Sequence, residues 1–165
     1  MSAPAPVPDP LPDALEAGIR QAMEDFGGAR PAMLESLRLI QQAEGWVSDD
    51  RLRQAAEVLG VTPAELDNLA SFYSMIFRKP VGETVILLCD GASCWLNGAD
   101  AVRDAVMDRL GIGYGQTTPD GKYTLINCAC LGACERAPAA ALGRDRRTIG
   151  PLTPKDLAQL LEGGP

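Results

Sequence analysis

The chain has 165 residues, 46% of them hydrophobic, a formal net charge of −7, five cysteines and no histidine. That size allows one ordinary domain, or two small ones, with a buried core, and the acidity argues against nucleic acid as a main partner, because phosphate binding needs clustered Lys and Arg. The lack of histidine excludes mixed Cys/His zinc sites, His-ligated haem, Rieske centres and His-based acid–base catalysis, and no apolar run approaches the roughly 20 residues that span a bilayer.

The opening MSAPAPVPDPLP is too rich in proline for a signal peptide and has neither an apolar h-region nor the arginines of a transit peptide. Residues 1–12 are expected to form a flexible tail on a cytosolic protein. Four helices are predicted next. Leu15, Ile19, Met23 and Phe26 recur at helical spacing up to Gly27-Gly28. Pro31 suits the first turn of a second helix, whose apolar face includes Leu34, Leu37 and Ile40 and which ends at Gly45-Trp46. Ser48 caps a third, with Asp49 and Asp50 at the positive end of its dipole and Leu52, Ala55, Ala56 and Leu59 on one face up to Gly60. Thr62-Pro63-Ala64-Glu65 is a capping box with proline at the first helical position; Leu66, Leu69, Ala70 and Tyr73 follow on one stripe. Short helices with brief loops predict a small bundle over 13–78.

Near 78–82 the pattern changes. Thr84-Val85-Ile86-Leu87-Leu88 reads as a buried strand. Residues 98–110 read as a helix on Val102, Val106 and Leu110, and 122–126 as a second strand. Gly111-Ile112-Gly113-Tyr114-Gly115 follows a helix and lacks a phosphate-binding lysine, so it reads as a plain loop. Residues 138–142 read as a third strand, turning through Gly143-Arg144-Asp145 into a return strand at Thr148-Ile149. A last helix starts at Thr153 and carries Leu157, Leu160 and Leu161. The order β-α-β-β-β-α predicts a small α/β domain over 79–165, and the whole chain is expected to be α+β: a helical bundle followed by a sheet domain. Acidity concentrates in the first half, with 12 acidic and 6 basic residues over 1–78 against 10 and 9 over 79–165.

All five cysteines fall in the second half. Cys89 and Cys94 form C-x4-C after the first strand; Cys130 and Cys134 form C-x3-C after the second, with Cys128 just before them. If those strands are parallel neighbours, both loops emerge at one end of the sheet and four thiolates can meet. A [2Fe–2S] core takes four cysteines, two per iron. Gly91-Ala92-Ser93 and Gly132-Ala133 let backbone N–H groups approach the sulfurs and offset their charge. Arg136, Arg144, Arg146 and Arg147 follow the second pair and are candidates to ease the arrival of an electron. A plant-type ferredoxin is disfavoured, since the third cysteine lies 36 positions beyond the second (130 − 94). A four-cysteine zinc site is the sharpest rival, although such sites usually use two C-x2-C knuckles. A thioredoxin-type redox site would need C-x-x-C, which is absent. Buried core cysteines are the bland reading; Cys128 fits it best.

These residues also carry a resemblance. Cys89-Asp90-Gly91-Ala92-Ser93-Cys94, then Cys130-Leu131-Gly132-Ala133-Cys134 with Ala137-Pro138, resembles the thioredoxin-like [2Fe–2S] ferredoxin family. Ala70-Ser71-Phe72-Tyr73-Ser74-Met75-Ile76-Phe77 with Pro80-Val81-Gly82, and Gln41-Gln42-Ala43-Glu44-Gly45-Trp46-Val47, are similar to the E-subunit family of bacterial respiratory complex I, the NADH:quinone oxidoreductases. The resemblance implies a thioredoxin-like domain behind the helices and one [2Fe–2S] cluster on Cys89, Cys94, Cys130 and Cys134. It implies an electron-carrying subunit without an active site of its own. Its partners would be the flavin subunit, which binds FMN and NADH, and further iron–sulfur subunits of the same complex. It would sit on the cytoplasmic side, peripheral to the inner membrane through those partners and not inserted. Related chains occur in NAD-linked hydrogenases and formate dehydrogenases, which stand as the alternative; a zinc-stapled binding module is the alternative from another class.

Trp95 directly follows a candidate ligand, which suits it to shield the cluster or face the flavin subunit; Trp46 reads as packing. The apolar segment 72–77 reads as a seam between the halves or a partner-binding patch.

Overall fold

A computed structural model describes residues 9–143 and 147–162 of the chain. Two compact units are present, Met1–Pro80 and Val81–Pro165. The expected α+β class is borne out, with helices preceding a mixed five-stranded sheet.

The first unit holds α1 (Asp13–Asp25), α2 (Ala29–Glu44), α3 (Asp49–Leu59) and α4 (Pro63–Phe72). Local chemistry sets their ends. The Ser48 hydroxyl accepts from the Arg51 N–H, and the Thr62–Glu65 box is fully formed. Gly45 and Gly60 close α2 and α3 in the left-handed conformation that only glycine adopts cheaply. Ile19, Leu37, Ile40, Val47, Leu66 and Ile76 fill the centre. Two expected core residues lie elsewhere: Phe26 is 53% exposed and Tyr73 39% exposed. Each stands just past the last turn of its helix, where the apolar stripe no longer faces another helix. Ala22 takes the inward position of α1 instead. Of the proline-rich stretch, residues 1–8 lie outside the described residues. Asp9 and Pro10 are held by their carbonyls, which accept from Arg51 and Gln54.

The second unit is built on β1 (Thr84–Cys89), α5 (Ala92–Leu96), α6 (Ala99–Leu110), β2 (Gln116–Thr117), β3 (Tyr123–Cys128), β4 (Ala140–Leu142), β5 (Arg147–Ile149) and α7 (Leu157–Glu162). The strand order is β2-β3-β1-β4-β5. β1 and β3 run parallel, and every other pairing is antiparallel. β1 is the central strand, and all six of its residues are buried, as its unbroken apolar run requires. Ile86, Leu88 and Leu125 pack with Val102 and Val106 of α6 and Leu160 of α7.

Four elements differ from the sequence reading. β1 and β3 each extend to a cysteine, so Cys89 and Cys128 belong to the strands and not to the loops. α5 interrupts what reads as a loop, and β2 exists only through its pairing with β3. Arg144 and Asp145 of the expected turn before β5 lie outside the described residues, as does Arg146.

Candidate metal centre

Parallel pairing decides where the cysteines go. Cys89 and Cys128 form the last register pair of β1 and β3, so the loops that follow leave the sheet at the same end. The first loop turns at once into α5, which carries Cys94. The second carries Cys130 and a 3-10 turn that begins at Cys134. The pairs differ in burial: Cys89 and Cys94 are buried, whereas Cys130 and Cys134 are exposed.

The two loops touch at Gly91. A Cβ on that residue would stand 2.9 Å from the Ala129 carbonyl oxygen, 3.6 Å from Cys89 Sγ and 3.8 Å from Cys130 Cβ. Backbone amides serve the sulfurs on both sides of this contact. Gly132 N–H donates to Cys130 Sγ at 3.4 Å. Gly91 and Leu131 donate to the Cys89 sulfur, and Ala139 donates to that of Cys94. Leu131 belongs to the second loop, so its bond ties the first cysteine pair to the second.

These contacts split the thiol acidities. Burial opposes ionisation of Cys89, but the Gly91 and Leu131 amides and the Cys94 thiol outweigh it and hold its pKa below the usual thiol value. Burial and the bond to Cys89 push Cys94 up to about 11; the Ala139 amide offsets part of this, while the charges of Cys89 and Cys134 add to it. Of the two thiols, Cys89 is therefore the one that ionises first. Cys134 stands close enough for its charge to be felt there.

Among the described residues, no three Cys, Asp or Glu side chains gather tightly enough to hold a single metal ion. The loops present two cysteine pairs linked through Gly91 and Leu131. An all-thiol donor set in two pairs, with N–H groups on the sulfurs, fits a [2Fe–2S] core. Cys128 is turned to another task, its thiol donating to the Cys130 carbonyl at 3.5 Å. Of the arginines expected to offset cluster charge, Arg136 pairs with Glu135 at 3.6 Å and Arg147 opens β5; Arg144 and Arg146 lie outside the described residues. The Leu131 and Ala139 donors escape a reading of the sequence because backbone amides leave no residue-type signal.

The sequence model of thioredoxin-like [2Fe–2S] ferredoxins matches residues 19–164. The chain belongs to the thioredoxin-like [2Fe–2S] ferredoxin family. It is 39% identical over 152 residues to the E-subunit of the Pseudomonas aeruginosa NADH-quinone oxidoreductase, a match that takes in 92% of this chain and 90% of that protein. The Escherichia coli counterpart is 38% identical with the same coverage. Among solved structures, an NAD+-reducing [NiFe]-hydrogenase in the air-oxidized state superposes with a TM-score of 0.67 at 25% identity. That match takes in 79% of this chain and 22% of the hydrogenase chain, so this chain corresponds to a minor part of it. The resemblance read from the motifs is borne out. With it stand the [2Fe–2S] cofactor of this ferredoxin family and the role of an oxidoreductase subunit. The hydrogenase fits the alternative reading, while relatives that match over most of their length support the main one.

Proposed function

We propose that the chain is the electron-transfer subunit of an NADH-quinone oxidoreductase and holds one [2Fe–2S] cluster on Cys89, Cys94, Cys130 and Cys134. The observation that carries this reading is the contact at Gly91, where a Cβ would stand 3.6 Å from Cys89 Sγ and 3.8 Å from Cys130 Cβ, so that the two cysteine loops meet at the end of the sheet. When bound, the cluster would supply one-electron transfer to and from the FMN of an adjacent NADH-binding subunit. The chain's own residues prepare that place. Buried Cys89 and Cys94 keep one side dry, and the N–H groups of Gly91, Leu131, Gly132 and Ala139 stabilise thiolate charge. Exposed Cys130 and Cys134 leave the other side open.

Trp95 and Leu96 follow Cys94 and are 58% and 75% exposed. This apolar pair beside a ligand is the face we assign to the flavin subunit. The helical domain 13–78 and the cluster domain 79–165 would then join further iron–sulfur subunits of the complex. Among the described residues no helix is long and apolar enough to cross a membrane. Attachment to the cytoplasmic side of the inner membrane would come through partners.

The visible spectrum of the purified chain and its electron paramagnetic resonance after dithionite reduction test the cluster. A brown protein with a reduced-state signal and two irons per chain is expected; a colourless protein loaded with zinc would overturn the assignment. The hydrogenase likeness supports a second reading, the matching subunit of an NAD-linked hydrogenase or formate dehydrogenase. Co-purification from native membranes separates the two: quinone-reductase subunits support the first, hydrogenase or formate dehydrogenase subunits the second.

A further inference from the structure

Gly150 lies between β5 and α7, far beyond Cys134 in sequence, yet it presses on the segment that Cys134 begins. A Cβ on Gly150 would collide outright with the Arg136 carbonyl oxygen, and would stand 2.9 Å from that of Pro138 and 3.3 Å from the Arg136 carbonyl carbon. All three obstacles are backbone atoms, so no rotamer change relieves the collision. Next to this contact the Leu152 N–H donates to the Pro138 carbonyl at 2.9 Å. The clasped segment meets the candidate centre at both ends. Cys134 stands at one end. At the other, the Ala139 carbonyl accepts from the Cys89 N–H at 3.1 Å, and the Ala139 N–H donates to the Cys94 sulfur.

We propose that Gly150 is a positioning residue for the cluster: its missing side chain lets residues 136–138 lie against it and so places the Cys134 sulfur and the Ala139 amide relative to Cys94. This rests on the reading that the four cysteines hold a [2Fe–2S] core. Hydrogen bonds to the sulfurs set the potentials of such clusters. An amide drawn away from the Cys94 sulfur stabilises the extra electron less, so widening this contact lowers the reduction potential.

The test uses the full-length, cluster-loaded chain and its Gly150→Ala variant, with Gly121→Ala as control. Gly121 has a φ of +73°, and nothing lies within 4 Å of its virtual Cβ, so the control carries backbone strain without a collision. Midpoint potentials are read by titration followed by electron paramagnetic resonance, alongside thermal melting. Gly150→Ala is expected to lower the midpoint and alter the line shape, whereas Gly121→Ala shifts only the melting temperature. A loaded Gly150→Ala protein with wild-type midpoint and line shape overturns the proposal.

A second measurement needs no variant. Coupling is reciprocal, so a cluster that pins Cys134 and Cys94 also steadies the clasp. Hydrogen exchange in the 149–152 peptide is expected to be several-fold slower in the loaded than in the cluster-free wild-type chain; equal exchange overturns the proposal. A wild-type chain without any cluster signal would instead overturn the reading on which it rests.

Discussion

Cys89 and Cys128 face one another in the last parallel register pair of β1 and β3, yet their sulfurs have different partners. The Cys89 sulfur receives the Leu131 and Gly91 amides, whereas the Cys128 thiol donates to the Cys130 carbonyl. A sulfur that collects N–H donors is prepared to be a thiolate; one that donates its proton is not.

Single serine replacements should separate these roles. Cys89→Ser, Cys94→Ser, Cys130→Ser and Cys134→Ser are each expected to abolish most of the visible absorption and the reduced-state resonance. Cys128→Ser keeps a donor for the Cys130 carbonyl and is expected to retain both near wild-type levels. Iron content per chain and the absorption spectrum check this. A Cys128→Ser protein without a cluster would count against the ligand set.

Gly91 sets the spacing between the ligand loops. Its φ of −72° suits any residue, so its role is one of space and not of conformation. The methyl of Gly91→Ala would stand 2.9 Å from the Ala129 carbonyl, and such crowding costs about 1–3 kcal/mol. Lower cluster occupancy and faster cluster loss on incubation with a chelator are expected. Gly113→Ala, whose methyl would meet only Gln116 at 3.6 Å or more, should behave as wild type in the same assay.

Arg78 closes the helical unit. Its guanidinium donates to the Val47 carbonyl, to Asp49 at 2.6 Å and to Asp67 at 3.0 Å. The side chain is only 22% exposed, while Asp49 and Asp67 are mostly solvated. The carbonyl bond should therefore dominate, because exposed pairs contribute little. Arg78→Met is expected to lower stability by about 1–3 kcal/mol in urea denaturation. Asp67→Asn should cost well under half as much.

Glu65 makes the helical unit sensitive to acid. The Thr62 backbone N–H, then the Thr62 hydroxyl, hold its carboxyl below the ordinary value of 4.5, with Arg30 adding to the effect. A folded-state pKa below the unfolded one means that ionised Glu65 favours the fold. The contribution is fully present above 4.5 and is lost as pH falls through the lower folded value. Glu65→Gln should flatten that part of the stability profile and leave its neutral limb parallel to wild type. Melting temperatures from pH 7 down to pH 3 read the difference.

Much of the helical unit was legible because its signals are local. The Ser48 cap, the Thr62–Glu65 box and the closing glycines each act within one turn, and the structure forms them as the residues demand. Phe26 and Tyr73 misled because periodicity continues past the point where another helix is there to receive it. β2 was invisible, since two residues make a strand only when β3 supplies the partner. α5 was missed because five residues are too few to show a stripe.

The candidate centre divides along the same line. The cysteine pairs, their spacing, the missing histidine and the small residues in both loops are properties of the chain itself; they single out sulfur ligation and the family. That β1 and β3 lie side by side and parallel, that Leu131 reaches the Cys89 sulfur, and that Gly150 abuts the Arg136 and Pro138 carbonyls came only from the folded chain. These are backbone contacts between segments distant in sequence. They depend on how a buried central strand is packed, so residue types at fixed spacing do not encode them in readable form.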